Sequence, residues 1–243
     1  MKKYVNLFVF VFMIGACLSQ GRAQTKSAVS YKNPVVDIAM PDPTVIKAAD
    51  GYFYVYATES TRNVPIMKSK DLVEWTYCNT AFTNKTRPRF EPKAGIWAPD
   101  INYINGKYVL YYAMSVWGGE QTCGIGVATA NSPQGPFTDH GKMFRSNEIG
   151  VQNSIDPSLL QYEGRNYLVW GSFRGIYVIE LTADGLSIMS GAKKKRIAGT
   201  AFEAVYIHKH GDYYYMFASI GSCCQGVKST YTVSYTHLTL PTS

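Results

Sequence analysis

Four carboxylates stand at the heads of four apolar runs. Asp42 precedes Pro43-Thr44-Val45-Ile46, Asp100 precedes Ile101-Asn102-Tyr103-Ile104, Asp156 precedes Pro157-Ser158-Leu159-Leu160, and Glu203 precedes Ala204-Val205-Tyr206-Ile207. The steps between them are 58, 56 and 47 residues. A carboxyl gives a proton when neutral and takes one when ionised. Two of them in one pocket, with their pKa values pushed apart, can protonate one side of a bond and activate water on the other. Gathering like charge costs free energy, and a chain that brings these acids together does so for chemistry.

The elements that must position these acids repeat with them. Each run ends in a turn, at Asp50-Gly51, Asn105-Gly106, Glu163-Gly164 and Gly211-Asp212, and an aromatic run follows. A repeat of this length built of strand and turn is the signature of a propeller. The first strand of each blade lines the axis, so its leading residues converge at one end. The fold class read from the chain is all-β, with about four blades of a β-propeller present. Helical periodicity is absent outside the N-terminal segment.

The spacing also assigns the connections. Leu72-Val73-Glu74-Trp75 closes the first blade, Ser69 to Trp75 reading as a turn that delivers a buried Trp, and Ser132-Pro133-Gln134-Gly135-Pro136-Phe137 is an outer turn of the second. Residues 78–96 form a long polar connection, the kind that serves as a wall or lid. With 243 residues, 17% of them charged and 14% aromatic, the chain can bury a large core and is not disordered.

Residues 1–23 read as a signal peptide, with Lys2 and Lys3 before an apolar stretch too short to span a membrane as a mature helix. Two readings of its processing stand. Gly21-Arg22-Ala23 is a small-x-small cleavage site, and Ile14-Gly15-Ala16-Cys17 resembles a lipoprotein box that would lipidate Cys17. Either way the protein is exported, to the periplasm or beyond. Cleavage after Ala23 removes three cations and no anion, taking the formal charge from +7 to +4, too mild for a nucleic-acid partner. The basic run Lys193-Lys194-Lys195-Arg196 carries no interleaved aromatics and reads as a solvated strand or loop. Cys78, Cys123, Cys223 and Cys224 show no zinc spacing, and their pairing stays open. Ser234 to Ser243 break the repeat and read as a non-native tail.

Pro41-Asp42-Pro43, Trp97-Ala98-Pro99-Asp100-Ile101, Ser154-Ile155-Asp156-Pro157 and Phe202-Glu203-Ala204 together resemble glycoside hydrolase family 43, the five-bladed β-propellers. The resemblance covers residues 34–233, the propeller domain. Gly221-Ser222-Cys223-Cys224-Gln225-Gly226 is similar to the cleft loop of the arabinan-degrading branch. It implies an inverting glycosidase that cleaves α-1,5-linked L-arabinan or a related cell-wall polysaccharide. Asp42 then corresponds to the general base, Glu203 to the general acid, and Asp156 to the residue that orients Glu203 and raises its pKa. Trp97 and Trp117 read equally as sugar-stacking platforms and as core. Asp100, Asn153, Ser154 and Ser222 are substrate-contact candidates, with a structural role as the alternative for Asp100. His208 and His210 read as ordinary exposed or satisfied histidines.

No cofactor is implied for the chemistry. A structural cation, calcium, is implied near the axis, with ligands that these residues do not identify. The partner is an oligosaccharide or polysaccharide, and the complete protein is expected as a monomer. Two other readings stand beside the endo-acting one. One is an exo-acting α-L-arabinofuranosidase or β-xylosidase, and the other is a non-catalytic sugar-binding propeller. Four leaders fall one short of a closed five-bladed ring, so the chain reads as C-terminally truncated. Uncovered blade faces would leave it insoluble or inactive alone.

Overall fold

Tight hairpins close on left-handed backbone. Asn105 and Gly106 have φ of 48° and 82°, and Glu163 and Gly164 have φ of 48° and 74°. Each pair connects two strands through a two-residue loop, the geometry that matches the twist of flanking strands. The computed structural model describes residues 30–221; the proposed signal peptide, Cys17, the Ser222–Gly226 loop and the 234–243 tail lie outside them.

Residues 32–221 form one unit of antiparallel sheets. Blade one holds β1 (Thr44–Lys47), β2 (Phe53–Tyr56), β3 (Pro65–Ser69) and β4 (Thr76–Thr80). Blade two holds β5 (Gly95–Ile104), β6 (Lys107–Ser115), β7 (Gly124–Ala130) and β8 (Thr138–Arg145). Blade three holds β9 (Ser158–Tyr162), β10 (Arg165–Trp170), β11 (Ile176–Leu181) and β12 (Lys195–Ala198). A fourth sheet pairs β13 (Phe202–His210) with β14 (Tyr213–Ile220).

Blades pack face to face, which is why the middle strands read as unbroken apolar runs. In β6, Tyr108, Leu110, Tyr112 and Met114 join Tyr54, Tyr56, Val64 and Ile66 of blade one. The alternate residues Val109 and Tyr111 join Leu159, Leu168 and Trp170 of blade three. Blade three turns Tyr167, Val169 and Val178 toward Val205, Ile207 and Met216 of the fourth sheet. A strand buried on both faces loses the alternation that marks a half-exposed one. The outward faces of the first and fourth sheets carry exposed Val45, Leu72 and Tyr77, and exposed Tyr206, Tyr213 and Phe217.

The segment after β3 is the expected turn, its Asp71 carboxylate accepting the amides of Val73 and Glu74 at 2.9 and 2.8 Å; Trp75 at its end is half-buried, which corrects the buried Trp expected there, and the closing strand is β4. Blade two has a polar outer strand, β8, whose sequence TDHGKMFR carries no apolar run. One helical turn, α1 (Ser146–Ile149), follows it and is too short to show a period.

The 81–94 connection is no free lid. Arg87, buried within it, pairs with Glu59 and donates to Asn63 Oδ1 at 3.1 Å and the Ala94 carbonyl at 2.9 Å. Phe82 is buried in the core between blades one and two.

Asp100 ties three blades together. Its Oδ2 accepts the Leu159 amide of blade three at 2.8 Å and the Asn102 amide nitrogen at 2.7 Å. Its Oδ1 accepts the Thr44 hydroxyl of blade one at 3.5 Å. At 8% exposure, burial pushes this carboxyl up to about 6, while the three donors pull it back. Asp100→Ala leaves the buried Leu159 N–H unsatisfied and is expected to cost about 1–3 kcal/mol. The denaturant midpoint measures it, and an unchanged midpoint would remove Asp100 from this structural role.

Candidate active site

Each inner strand has one left-handed residue near its head, two residues before β1 and β9 and within the first residues of β5 and β13. These are Asp42 (φ 49°), Ala98 (φ 42°), Asp156 (φ 57°) and Ala204 (φ 50°). Each lies two residues before an equivalent strand position, Thr44, Asp100, Ser158 and Tyr206 respectively. None is glycine, so each costs on the order of 1–3 kcal/mol that the surrounding fold must offset. Asp42 and Asp156 also precede prolines, which disfavour helical backbone at the residue before them.

This step corrects the phase expected from sequence. Acids occupy it in blades one and three, and alanines in two and four. Glu203 sits one residue ahead of it and Asp100 two behind. Register shifts between Trp97 and Asp100 and between Glu203 and Tyr206 break the two-residue count that would have shown this.

Asp42 is exposed, and the Thr58 hydroxyl donates to its Oδ2 at 2.5 Å. Asp156 accepts the Ala204 amide at 3.2 Å, holding the peptide next to Glu203. Glu203 is half-buried and accepts the Ser172 hydroxyl at 3.3 Å. Ser172 is itself held, its carbonyl accepting the Asn153 side-chain amide at 3.0 Å.

The three carboxyls sense one another. Burial, then the charges of Asp42 and Glu203, push Asp156 up to about 8, with the Ala204 N–H opposing. Burial also raises Glu203; the Ser172 bond lowers it and the charge of Asp42 raises it. Groups coupled in this way titrate as a set. The set keeps a proton to higher pH than an isolated carboxyl does.

The other candidates divide. Trp117 is 80% exposed and stands 5.6 Å, ring centre to ring centre, from Trp97. Trp97 is half-buried against Ala113, Cys123 and Ile155, so it is part of a packed cluster and also supports an open ring. Asn153 is half-buried and spent on Ser172. Asp100 takes its structural alternative, and Ser154 is corrected as a candidate for substrate contact. Asp100 is buried with its oxygens committed across blades. Ser154 is 0% exposed, its hydroxyl donating to the Val151 carbonyl at 2.8 Å and accepting the Trp170 indole N–H at 3.1 Å. Ser222 lies outside the described residues. His208 and His210 are exposed beside Tyr206 and Tyr215. Among the described residues no three His, Cys, Asp or Glu side chains form a set that could hold a metal ion. No ligand set for the implied cation is assigned, and no step is routed through one.

The sequence profile of the glycosyl hydrolases family 43 matches residues 31–242. The chain belongs to this family. It is 36% identical over 207 residues to the extracellular endo-α-(1→5)-L-arabinanase 1 of Bacillus subtilis, covering 80% of this chain and 63% of that protein. The chain thus spans under two thirds of the length of that relative. A Cellvibrio cellulosa α-L-arabinanase complexed with arabinohexaose superposes with a TM-score of 0.72 at 28% identity, over 82% of this chain and 71% of that one. An exo-1,5-α-L-arabinanase from a bovine ruminal metagenomic library superposes with a TM-score of 0.71 at 30% identity, over 86% and 74%. With these neighbours the architecture is that of the family's five-bladed propeller.

Thr58 and Ser172, absent from the sequence reading, carry a signal that could have found them. Each lies two residues past the second strand of its blade, β2 or β10. In this family 43 chain the hydroxyls at that position meet Asp42 and Glu203.

The raised Asp156 makes stability pH-dependent. Its folded value lies above the ordinary carboxylate value of about 3.9, so the folded state holds the proton more tightly and stability falls as pH rises toward 8. Asp156→Asn cannot ionise, so its melting temperature is expected to gain on the wild type steadily from pH 4 to pH 8. A difference that does not vary with pH would show that Asp156 titrates as an ordinary carboxyl.

Proposed function

We propose that this chain carries the catalytic centre of an inverting glycosidase that acts on α-1,5-linked L-arabinan. Asp42, exposed at the mouth, accepts a proton from water as the water oxygen attacks the anomeric carbon. Glu203, raised by burial and by the charge of Asp42, delivers a proton to the departing glycosidic oxygen on the opposite face. Asp156 holds the Ala204 amide and so fixes the backbone that carries Glu203. The observation that carries the reading is that the charge of Asp42 raises both Asp156 and Glu203 while Glu203 also raises Asp156, because a sugar-binding site needs no neutral acid next to a base. The substrate rests on the arabinanases this chain is similar to.

Exo action is the second reading, favoured by the similarity to the ruminal exo-acting enzyme. The extracellular name of the Bacillus relative supports export. Among the described residues no helix is long and apolar enough to cross a membrane.

The roles separate on leaving-group chemistry. In the whole gene product, Asp42→Ala and Glu203→Ala are each expected to lose about 10²–10⁴-fold in kcat on linear arabinan. On an aryl arabinofuranoside, whose leaving group needs no proton, only Glu203→Ala recovers. Recovery by both or by neither would overturn the assignment. Hydrolysis of linear against end-blocked arabinan separates endo from exo action.

A further inference from the structure

Asp42 poses a mechanical problem. It is exposed, lies in left-handed backbone, and stands between Pro41 and Pro43 at the edge of the first sheet. A carboxylate in that position turns freely about its side-chain bonds unless something holds it. The Thr58 hydroxyl does, at 2.5 Å. The same oxygen accepts the Ala98 backbone N–H at 2.7 Å. A hydroxyl has one proton to give. With a backbone donor already pointing at its oxygen, Thr58 can satisfy both contacts only by giving that proton to Asp42. A short O–H···O⁻ bond of this kind is the strong, charge-assisted type.

Thr58 is itself fixed from several sides. Its amide donates to the Pro41 carbonyl at 2.9 Å, beside the residue it holds. Next to it, the Glu59 amide donates to the Ile96 carbonyl at 3.1 Å. The Glu59 carboxylate accepts the Ile96 amide at 2.9 Å and the Asn63 amide at 2.8 Å, and pairs with the buried Arg87. The β-branched threonine adds a stiff χ1 to this anchored backbone. Thr58 thus bridges the first inner strand to the Trp97-Ala98-Pro99 segment of the second.

We infer that Thr58 is a positioning residue for the reaction, aiming the Asp42 carboxylate at the water it activates. The inference rests on the reading of Asp42 as the general base. It explains why a strained, exposed aspartate holds one geometry, and it makes blade two a contributor to the base although its own step position is an alanine. Thr58 acts through Asp42 and touches no substrate.

The test is the set Thr58→Val, Thr58→Ser and Asp42→Ala, with the double variant Thr58→Val/Asp42→Ala, in the whole gene product. Valine keeps the shape and removes the hydroxyl. The expected result for Thr58→Val is a loss of about 10–100-fold in kcat on linear arabinan with KM unchanged. Thr58→Ser, which keeps the hydroxyl, restores most of it. In the Asp42→Ala background the valine costs nothing further, because no carboxylate is left to aim. A Thr58→Val enzyme with wild-type kcat overturns the inference. So does a loss in kcat and KM that serine does not rescue or that persists without Asp42. If valine prevents folding, the single Thr58→Ser variant and the Asp42→Ala background decide through Thr58→Ala. Asp42→Ala retaining full activity is a different result, since it removes the base itself and leaves Thr58 nothing to position.

Discussion

Repulsion among like charges is the condition that the mouth of this propeller must meet. Asp42, Asp156 and Glu203 reach the same end of the axis, and each raises or is raised by another. Left alone, the three would take up protons or move apart. Instead each is met by a donor from elsewhere in the fold: Thr58 for Asp42, the Ala204 amide for Asp156, Ser172 for Glu203. The packed blade faces make those donors immobile. Tyr112, Leu110 and Tyr56 on one side and Trp170, Leu168 and Tyr111 on the other are fully buried, so the inner strands cannot separate to relieve the charge. The apolar core therefore supplies the rigidity against which the electrostatic arrangement is held.

Much of this was legible in the chain. The alternation of acid, apolar run, glycine turn and aromatic run announced the blades, because hairpin turns need left-handed residues and buried middle strands need bulk on both faces. Asp42, Asp156 and Glu203 were found because they lead those runs. Asp100 leads one too, and of its two readings the structural one holds. A bulge in β5 moved it two residues past the step, into a buried position among Thr44, Asn102 and Leu159. The reading of Ser154 failed. Its place before Asp156 suggested a sugar contact, whereas Trp170 and Val151 take its hydroxyl inside the core. Sequence spacing counts residues along a strand, and it cannot see where a bulge adds one. The outer strand β8 leaves no apolar run in the sequence because only Met143 and Phe144 of it reach the core, the rest pairing with β7 as a polar edge.

The partners of the acids were harder to see than the acids. Thr58 and Ser172 are small hydroxyl residues in short loops, common in any sequence, and become informative only once β2 and β10 have defined ends. Their shared place, just past the second strand of the blade, is a property of the repeat that appears after the strands are paired. A catalytic acid declares itself by charge. The group that aims it declares itself only by where the backbone goes.

The left-handed step at the head of each inner strand belongs to the backbone, whichever residue occupies it. Aspartate sits there twice and alanine twice, with the same turn into the strand each time. Among the described residues the scaffold thus offers four such sockets, two loaded with acids and two held by the smallest chiral side chain. A lineage built on such a frame could change its reaction by refilling sockets without rebuilding blades. The alanines at positions 98 and 204 mark the room left for new chemistry within a fold that has already absorbed the conformational penalty of making it.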